Sequence, residues 1–190
     1  MFFRLREQDD GKEAIVVDGR AFHYDDITDA EFSPDGRRFV FKAQRGGVWV
    51  MVVDGVESEA YEPDGDERGK IGWSRDGRLA FSKDGSRLAY VGRKSGKDFV
   101  VADGAAGAPY DAVGNLAFTP DGRHVVYTAR RGGKSLVVVD GAGGREYDGF
   151  LPVHSHEREG HLNVEGATSL SILARRGAEL LRVELEVVEN

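Results

Sequence analysis

The segment Phe32-Ser33-Pro34-Asp35-Gly36-Arg37 is the clearest indication of the fold, because variants of it recur along the chain. The related segments are Phe81-Ser82-Lys83-Asp84-Gly85-Ser86 and Phe118-Thr119-Pro120-Asp121-Gly122-Arg123. Nineteen residues after the aspartate of each segment, a second Asp-Gly pair closes a valine-rich run, at Asp54, Asp103 and Asp140. A tyrosine follows seven residues later in each copy. Three copies with the same offsets identify an internal repeat.

Both ends of the chain carry partial copies of this repeat. The first runs from Phe3 through Asp18-Gly19 to Tyr24 and lacks the opening segment, and the last runs from Asn163 to Val188. The spacing is 37 residues from Asp103 to Asp140 but 49 from Asp54 to Asp103. Two insertions account for the irregular spacing, one between Tyr61 and Phe81 and one between Tyr147 and Asn163. We expect both to lie on links between successive copies.

Each copy predicts a meander of four short strands. Apolar runs rich in valine, phenylalanine and tyrosine alternate with Asp-Gly or Gly-Gly pairs, which suit two-residue hairpin turns. In the first full copy the predicted strands are A (29–33), B (39–43), C (48–53) and D (58–61). No segment shows capped helical periodicity over more than two turns. The sequence therefore predicts an all-β protein.

Phe-Ser-Pro-Asp-Gly-Arg, followed by an apolar strand and Val-Val-Asp-Gly, resembles the WD40-like PD40 repeat of TolB-type propellers. The resemblance covers most of the chain and implies a β-propeller of four-stranded antiparallel blades. It implies little about function, because such propellers have many roles.

The number and closure of the blades stay open at this stage. The first copy supplies three strands, each of three full copies supplies four, and the last supplies three, which makes four and a half repeats and about five blade units. The ring could contain two three-stranded blades, could share a composite blade between the chain ends, or could stay open with a second copy covering the edges. We expect one propeller domain over 1–190, with repeats at 29–65, 66–114 and 115–150 and partial repeats at 1–28 and 162–190. An alternative is that the chain is a shortened part of a larger propeller that assembles into a ring.

Composition excludes several classes of protein. Of the 190 residues, 40% are hydrophobic and 31% charged, as in soluble globular domains, and the formal net charge of −7 disfavours binding to nucleic acid. No apolar run is long enough for a membrane helix. The chain has no cysteine, and its early charges do not fit a secretory signal. We expect a cytoplasmic protein that does not bind a membrane, although a removed leader would leave the same sequence.

A four-stranded meander places its turns at two ends. The AB end carries the A–B and C–D turns, with Asp35, Asp84 and Asp121 beside the Asp-Gly aspartates. These carboxylates could hold a cation, but aspartate also bonds to the backbone of its own turn, and Arg37, Arg87 and Arg123 stand nearby. We predict a structural role for them.

The BC end carries the B–C turns and the D–A links. Its cations are Arg45, Arg93, Lys94, Lys97, Arg130, Arg131, Lys134, Arg175 and Arg176. Since loops that lengthen on one side of a repeat scaffold often build binding sites, this end is the predicted binding surface. A basic rim suits an acidic peptide, a phosphate or a carboxylate sugar. The alternative is that these cations only keep the hairpin tips soluble.

The second insertion contains His154, His156 and His161, which could form a metal site, although the spacing matches no zinc signature. Asp64-Gly65-Asp66 in the first insertion begins like a calcium loop but lacks its later ligands. No catalytic constellation is evident, and no cofactor is implied. We therefore predict a non-catalytic module that binds a protein or peptide, with homo-oligomers through exposed blade edges. The alternative is a metal-dependent or accessory hydrolytic protein that uses the histidines.

Overall fold

The Asp-Gly pairs form the hairpin turns that the repeat predicted. Asp18, Asp54, Asp103 and Asp140 have φ angles of 48° to 53°, and the glycine after each has a φ of 80° to 84°. Positive φ at both central residues defines the turn whose twist matches two paired strands. Because only glycine and, less readily, aspartate or asparagine tolerate this conformation, the turns fix where each valine-rich strand ends.

In this computed structural model, the residues described are 12–62, 78–151 and 160–187, together with the backbone of 2–6. The chain divides into two compact units, Met1–Gly72 and Trp73–Asn190. The described residues contain strands and turns and no helix, so none of them forms a helix that could cross a membrane. The expectation of an all-β protein is confirmed.

The first unit contains two antiparallel sheets. Sheet I consists of β1 (Phe2–Arg6), β2 (Glu13–Val17) and β3 (Arg20–Tyr24). Sheet II consists of β4 (Asp26–Phe32), β5 (Phe39–Arg45), β6 (Val48–Val53) and β7 (Val56–Glu57).

The second unit contains three antiparallel sheets. Sheet III consists of β8 (Leu79–Phe81), β9 (Leu88–Lys94), β10 (Lys97–Ala102) and β11 (Ala105–Ala106). Sheet IV consists of β12 (Ala112–Phe118), β13 (Val125–Arg131), β14 (Lys134–Val139) and β15 (Ala142–Gly143). Sheet V consists of β16 (Gly149–Phe150), β17 (Asn163–Val164), β18 (Ser169–Arg176) and β19 (Glu179–Glu186).

In sheets II, III and IV each strand pairs with the next one along the chain, which is the meander of a propeller blade. Strand C of sheet II has its predicted bounds, and strands A and B are longer than predicted. Strand D was predicted wrongly. It pairs regularly only at Val56–Glu57, and Tyr61 rejoins the sheet through an isolated bridge to Trp49.

Neighbouring sheets bury opposite faces of the same strands. In sheet IV, Val125 and Tyr127 pack with Val91 and Val100 of sheet III. On the other face, Val126 and Val137 pack with residues of sheet V, among them Leu170 and Ile172. Sheets I and II share a separate aromatic core that includes Phe22, Tyr24 and Phe41. Face-to-face stacking of consecutive meanders is the packing of a β-propeller, which confirms the predicted fold class.

A bulge interrupts strand A in sheets II and IV. The register shifts between Thr28 and Glu31 in β4 and between Gly114 and Ala117 in β12. At these bulges Asp29 and Asn115 have positive φ angles of 54° and 52°. Such bulges add a residue to one strand and bend it.

The sequence predicted that the second insertion lies on a link between copies, and this prediction is wrong. The insertion lies inside strand A of sheet V. Strand β16 pairs with β18 before the insertion and β17 pairs with β18 after it. Phe150 pairs with Ala174 as Val113 pairs with Ala129, so the insertion stands where sheet IV has its bulge residue, Asn115.

Among the described residues, sheet I lacks strand A and sheet V lacks strand D, as the repeat predicted. One domain over 1–190, about five blade units and association through the incomplete sheets stay predictions. The mass in solution, measured by light scattering, tests whether copies associate.

Candidate functional site

The BC end of the second unit is built from the turns that follow β9, β13 and β18. The turns after β13 and β18 are each tied to the aspartate that precedes strand A of the same sheet. Asp111 accepts a hydrogen bond from the Gly132 N–H at 2.8 Å, and Asp148 accepts one from the Gly177 N–H at 2.5 Å. In the first unit Asp25 accepts one from the Gly46 N–H at 2.6 Å. A carboxylate therefore fixes one turn in each of these sheets.

The same aspartates also join neighbouring sheets. Lys97 of sheet III forms an ion pair with Asp111, and Lys134 of sheet IV forms one with Asp148 at 2.5 Å. Lys97 and the Gly132 N–H lower the pKa of Asp111, and the Gly177 N–H and Lys134 lower the pKa of Asp148. Both carboxylates are therefore charged at neutral pH, and Lys134 is part of an inter-sheet contact.

Most of the other cations predicted at this end are also paired. Arg93 bonds to Asp98 at 2.7 Å, Arg131 to Glu146 at 3.0 Å and Arg176 to Glu179 at 3.1 Å. Lys94 also has an interaction partner. Pairing lowers the capacity of these groups to attract a ligand.

Arg45 lies in the first unit, apart from the group just described. Its guanidinium forms an ion pair with Glu57 at 2.8 Å and lies 4.7 Å from the centre of the Tyr24 ring. The Tyr24 hydroxyl donates to the same Glu57 carboxylate, and burial together with this bond raises the pKa of Tyr24 to about 12. Arg45 thus has a structural role inside its own unit.

Arg130 and Arg175 differ from the other predicted cations. Both side chains are exposed. Within the described parts of the chain, no carboxylate lies within ion-pair distance of either guanidinium. They occupy the same register position in their sheets, since Arg130 pairs with Ala112 and Arg175 with Gly149. Arg130 contributes to the lowered pKa of Asp111 and Arg175 to that of Asp148, so each guanidinium interacts with a carboxylate without being held in an ion pair.

A cavity of about 190 Å³ lies beside Arg130, between sheets IV and V. Thr128, Arg130 and Ser135 line it from sheet IV, and Asp148, Phe150 and Gly160 line it from sheet V. Since a water molecule occupies about 30 Å³ of liquid, the cavity can admit a small polar group. This open cavity, with an exposed guanidinium and a hydroxyl, is a candidate binding site in the second unit.

The end of the second insertion is anchored beside this cavity. Asn115, the bulge residue of sheet IV, donates from its side-chain amide to the Gly160 carbonyl at 2.8 Å and to the Thr128 hydroxyl at 3.1 Å. The Thr128 hydroxyl donates in turn to the Gly114 carbonyl at 3.0 Å. This network fixes the wall that Gly160 contributes to the cavity.

The sequence did not single out Thr128 or Ser135 as binding residues. It did contain a signal for Ser135, because Lys134-Ser135 stands where the preceding repeat has Lys97-Asp98. Alignment of the repeats therefore marks a position where a carboxylate has been replaced by a hydroxyl.

The aspartates of the AB end have the structural role that the sequence predicted. Asp35 accepts hydrogen bonds from the Ser33 hydroxyl at 2.6 Å and from the Arg37 N–H at 3.1 Å, and Asp84 and Asp121 repeat the pattern. These bonds lower the pKa of all three carboxyl groups. The aspartates of the Asp-Gly pairs bond instead to Arg38, Arg87 and His124.

The predicted histidine site lies largely outside the described residues, which include His161 but not His154 or His156. His161 is exposed. The described part of the chain contains no group of three potential metal-binding side chains. The calcium-like segment at Asp64-Gly65-Asp66 also lies outside it.

Comparison with known proteins concerns the fold alone. TolB from Acinetobacter baumannii is 15% identical with a TM-score of 0.45, and the match covers 93% of this chain but 46% of that protein. A putative TolB from Agrobacterium tumefaciens is 12% identical (TM-score 0.36), with 88% of this chain and 80% of that chain covered. The Dos1 propeller is 7% identical (TM-score 0.35), with 94% and 66% covered.

The assignment of the fold rests on the sheets themselves. No protein-family model and no curated protein matches the sequence. The chain spans less than half of the Acinetobacter protein.

Proposed function

We propose that this protein is a non-catalytic binding module that holds an acidic protein or peptide at the BC end of sheets IV and V. The observation that carries the proposal is a pair of exposed guanidinium groups, Arg130, which lines an open cavity, and Arg175, which has the same register position in sheet V. Their neighbours Lys134, Arg131 and Arg176 are already neutralised by carboxylates. The two arginines therefore supply the positive charge that a partner meets.

The chemistry of the guanidinium group suits this role. Arginine remains charged at any physiological pH and can donate two parallel hydrogen bonds to one carboxylate. An acidic peptide laid across the turns could pair with both arginines while one side chain enters the cavity. Since the protein as a whole is acidic, we expect this local positive charge to orient the partner.

Binding of labelled peptides tests the proposal. One probe contains alternating glycine and glutamate, and a second carries lysine in place of glutamate. We expect the acidic probe alone to bind, and binding to weaken as salt is added. The double variant Arg130→Ala/Arg175→Ala should weaken binding about tenfold or more, since each lost charged hydrogen bond contributes about 1.5–3 kcal/mol.

The matched control is Arg131→Ala/Arg176→Ala, which removes the same charge from adjacent positions that are already paired. It should change the affinity less than about threefold. Equal binding of both probes, or equal losses in the two double variants, would show that the exposed guanidinium groups do not form the binding surface.

A further inference from the structure

A buried carboxylate lies between sheets III and IV. The side chain of Asp98 is 2% exposed. One of its oxygens accepts a hydrogen bond from Arg93 at 2.7 Å, and the other accepts from Arg78 and from the Val113 N–H, each at 3.3 Å. This carboxylate belongs to strand C of one sheet and reaches strand A of the next. It thus joins the two sheets by charged hydrogen bonds.

The first unit repeats this arrangement between sheets I and II. Glu13 is 7% exposed and occupies the strand position of Asp98, because it pairs with Tyr24 as Asp98 pairs with Tyr110. Its carboxylate accepts a hydrogen bond from the Ile27 N–H at 3.0 Å. Two inter-sheet contacts therefore place a carboxylate against the backbone of the following strand A.

Between sheets IV and V part of the surroundings of that carboxylate is kept, but the carboxylate is missing. Arg130 pairs with Ser135 as Arg93 pairs with Asp98, and Ser135 bridges to Tyr147. The lysine–aspartate contact beside it is also present, formed here by Lys134 and Asp148. Ser135 is too short to reproduce the bond that Asp98 makes to its arginine. The cavity of about 190 Å³ lies at this place.

We propose that this cavity binds a carboxylate group of the ligand, seated where the chain's own carboxylate lies in the preceding contact. Arg130 donates to the carboxylate from the open side, and the Ser135 hydroxyl donates from the floor of the cavity. Phe150 occupies the strand position of Val113, whose N–H bonds to the second oxygen of Asp98. The second oxygen of the ligand carboxylate therefore lies beside the backbone of Phe150. This inference rests on the proposed binding function. It specifies that the bound protein or peptide offers a free carboxylate group.

The neighbouring groups are compatible with a bound carboxylate. Asp148 also lines the cavity, but Lys134 and the Gly177 N–H compensate its charge, just as Lys97 and the Gly132 N–H compensate Asp111 next to Asp98. Asp98 itself is held by a second arginine, Arg78. The corresponding residue 37 positions later is Asn115, a neutral amide that bonds to Thr128 and Gly160. The guanidinium of Arg130 is therefore the main electrostatic contribution.

The decisive variant is Ser135→Asp. It places a carboxylate between sheets IV and V, as Asp98 does between sheets III and IV and Glu13 does between sheets I and II. We expect the melting temperature to rise by about 2–4 °C, because the new carboxylate accepts a charged hydrogen bond from Arg130. The probe is acetate, compared with chloride at equal ionic strength. Acetate should raise the melting temperature of the wild type, because a ligand of the folded state stabilises it, and should have at least tenfold less effect on Ser135→Asp and Arg130→Ala. The control Arg131→Ala should respond like the wild type.

Three N-acetylated peptides then distinguish the sources of the carboxylate. One ends in a free carboxylate, one is amidated and contains a single glutamate, and one is amidated with glutamine instead. We expect the first or second to bind and the third not to bind. Inorganic phosphate that binds more tightly than acetate would contradict the assignment of a carboxylate site.

An acetate response that is unchanged in Ser135→Asp would overturn the inference. Should that variant fail to fold, the amide NMR signals of Ser135 and Phe150 in the wild type provide the test, since acetate must shift both and chloride neither. If acidic peptides still bind to Ser135→Asp, the proposed function is supported and the carboxylate site in the cavity is contradicted. Acetate binding without any peptide binding would support the site and contradict the proposed function.

Discussion

At the scale of single residues, the aspartate of each Asp-Gly pair combines a backbone role with a side-chain role. Asp54 adopts the positive φ of the turn, and its carboxylate accepts bonds from the Phe39 N–H and the Arg38 guanidinium, both at 2.9 Å. The turn thus closes strand C and ties it to the start of strand B. This double role explains why the pair recurs in four copies.

The glycine that follows is needed for its φ angle at every turn, and at one turn also for space. A Cβ atom on Gly55 would lie 2.9 Å from Cε1 of the Phe22 ring, while one on Gly104 would meet nothing within 4 Å. The two glycines have nearly the same φ, +83° and +84°. Gly104→Ala therefore measures the backbone strain alone.

We predict that Gly104→Ala lowers the free energy of unfolding by about 1–2 kcal/mol, which is the cost of a left-handed alanine. Gly55→Ala should cost about 1–3 kcal/mol more, because the methyl group must displace a packed ring. Urea unfolding followed by fluorescence measures both values. Equal losses in the two variants would mean that the Phe22 ring moves aside without cost.

At the scale of secondary-structure elements, strand A is the part of the repeat that varies most. A single residue with positive φ, Asp29 or Asn115, breaks its ladder in sheets II and IV. Sheet V carries the insertion 152–161 at that position, and Leu162 then returns to the core as Leu116 does in sheet IV. An insertion is tolerated where no ladder hydrogen bond is lost.

Gly160 fixes the point where the insertion rejoins sheet V. A Cβ atom there would lie 2.6 Å from the Phe150 Cβ and 2.9 Å from backbone atoms of Leu151. Because backbone cannot move aside cheaply, we predict that Gly160→Ala costs about 2–3 kcal/mol of stability and weakens binding at the adjoining cavity.

Gly166 is the matched control, since its nearest neighbour would be 3.8 Å from an added Cβ. Gly166→Ala should change the stability by less than about 0.5–1 kcal/mol. Thermal unfolding of the two variants, followed by circular dichroism, measures the difference. Similar melting temperatures would show that the junction at Gly160 adapts to a side chain.

At the scale of the whole molecule, the turn carboxylates link folding to pH. Hydrogen bonds within the turns lower the pKa of Asp35, Asp84 and Asp121 in the folded state, with the serine or threonine hydroxyl as the main cause. A lowered pKa means that the folded state favours the charged form. The resulting stability is fully present above the ordinary aspartate pKa of about 3.9 and is lost as the pH falls through the lowered values.

We therefore predict a free energy of unfolding that is level between pH 5 and 7 as far as these groups are concerned, and that declines below about pH 4. Urea titrations across this range measure it. The variant Asp121→Asn should show a smaller decline, because it has one titrating carboxyl group fewer. A steeper decline in the variant would contradict the assigned direction of the pKa shift.

The sequence predicted the turns, the repeated sheet, and strands A, B and C of the first full repeat. These features follow from local chemistry: Asp-Gly pairs accept positive φ, valine-rich runs favour strands, and a fixed interval between them requires successive sheets of the same kind. It also gave the structural role of Asp35, Asp84 and Asp121, because an aspartate that bonds to its own turn needs no distant partner.

Only the tertiary structure decided which cations can meet a ligand and where the second insertion lies. Arg130 and Arg131 are adjacent in sequence, yet only Arg131 is paired, because its partner Glu146 reaches it from the end of the same repeat. The pairing of β16 with β18 shows that the insertion lies inside strand A, and the spacing of the sequence repeats cannot show this. The cavity beside Ser135 lies between sheets IV and V, and contacts between sheets depend on how distant parts of the chain pack.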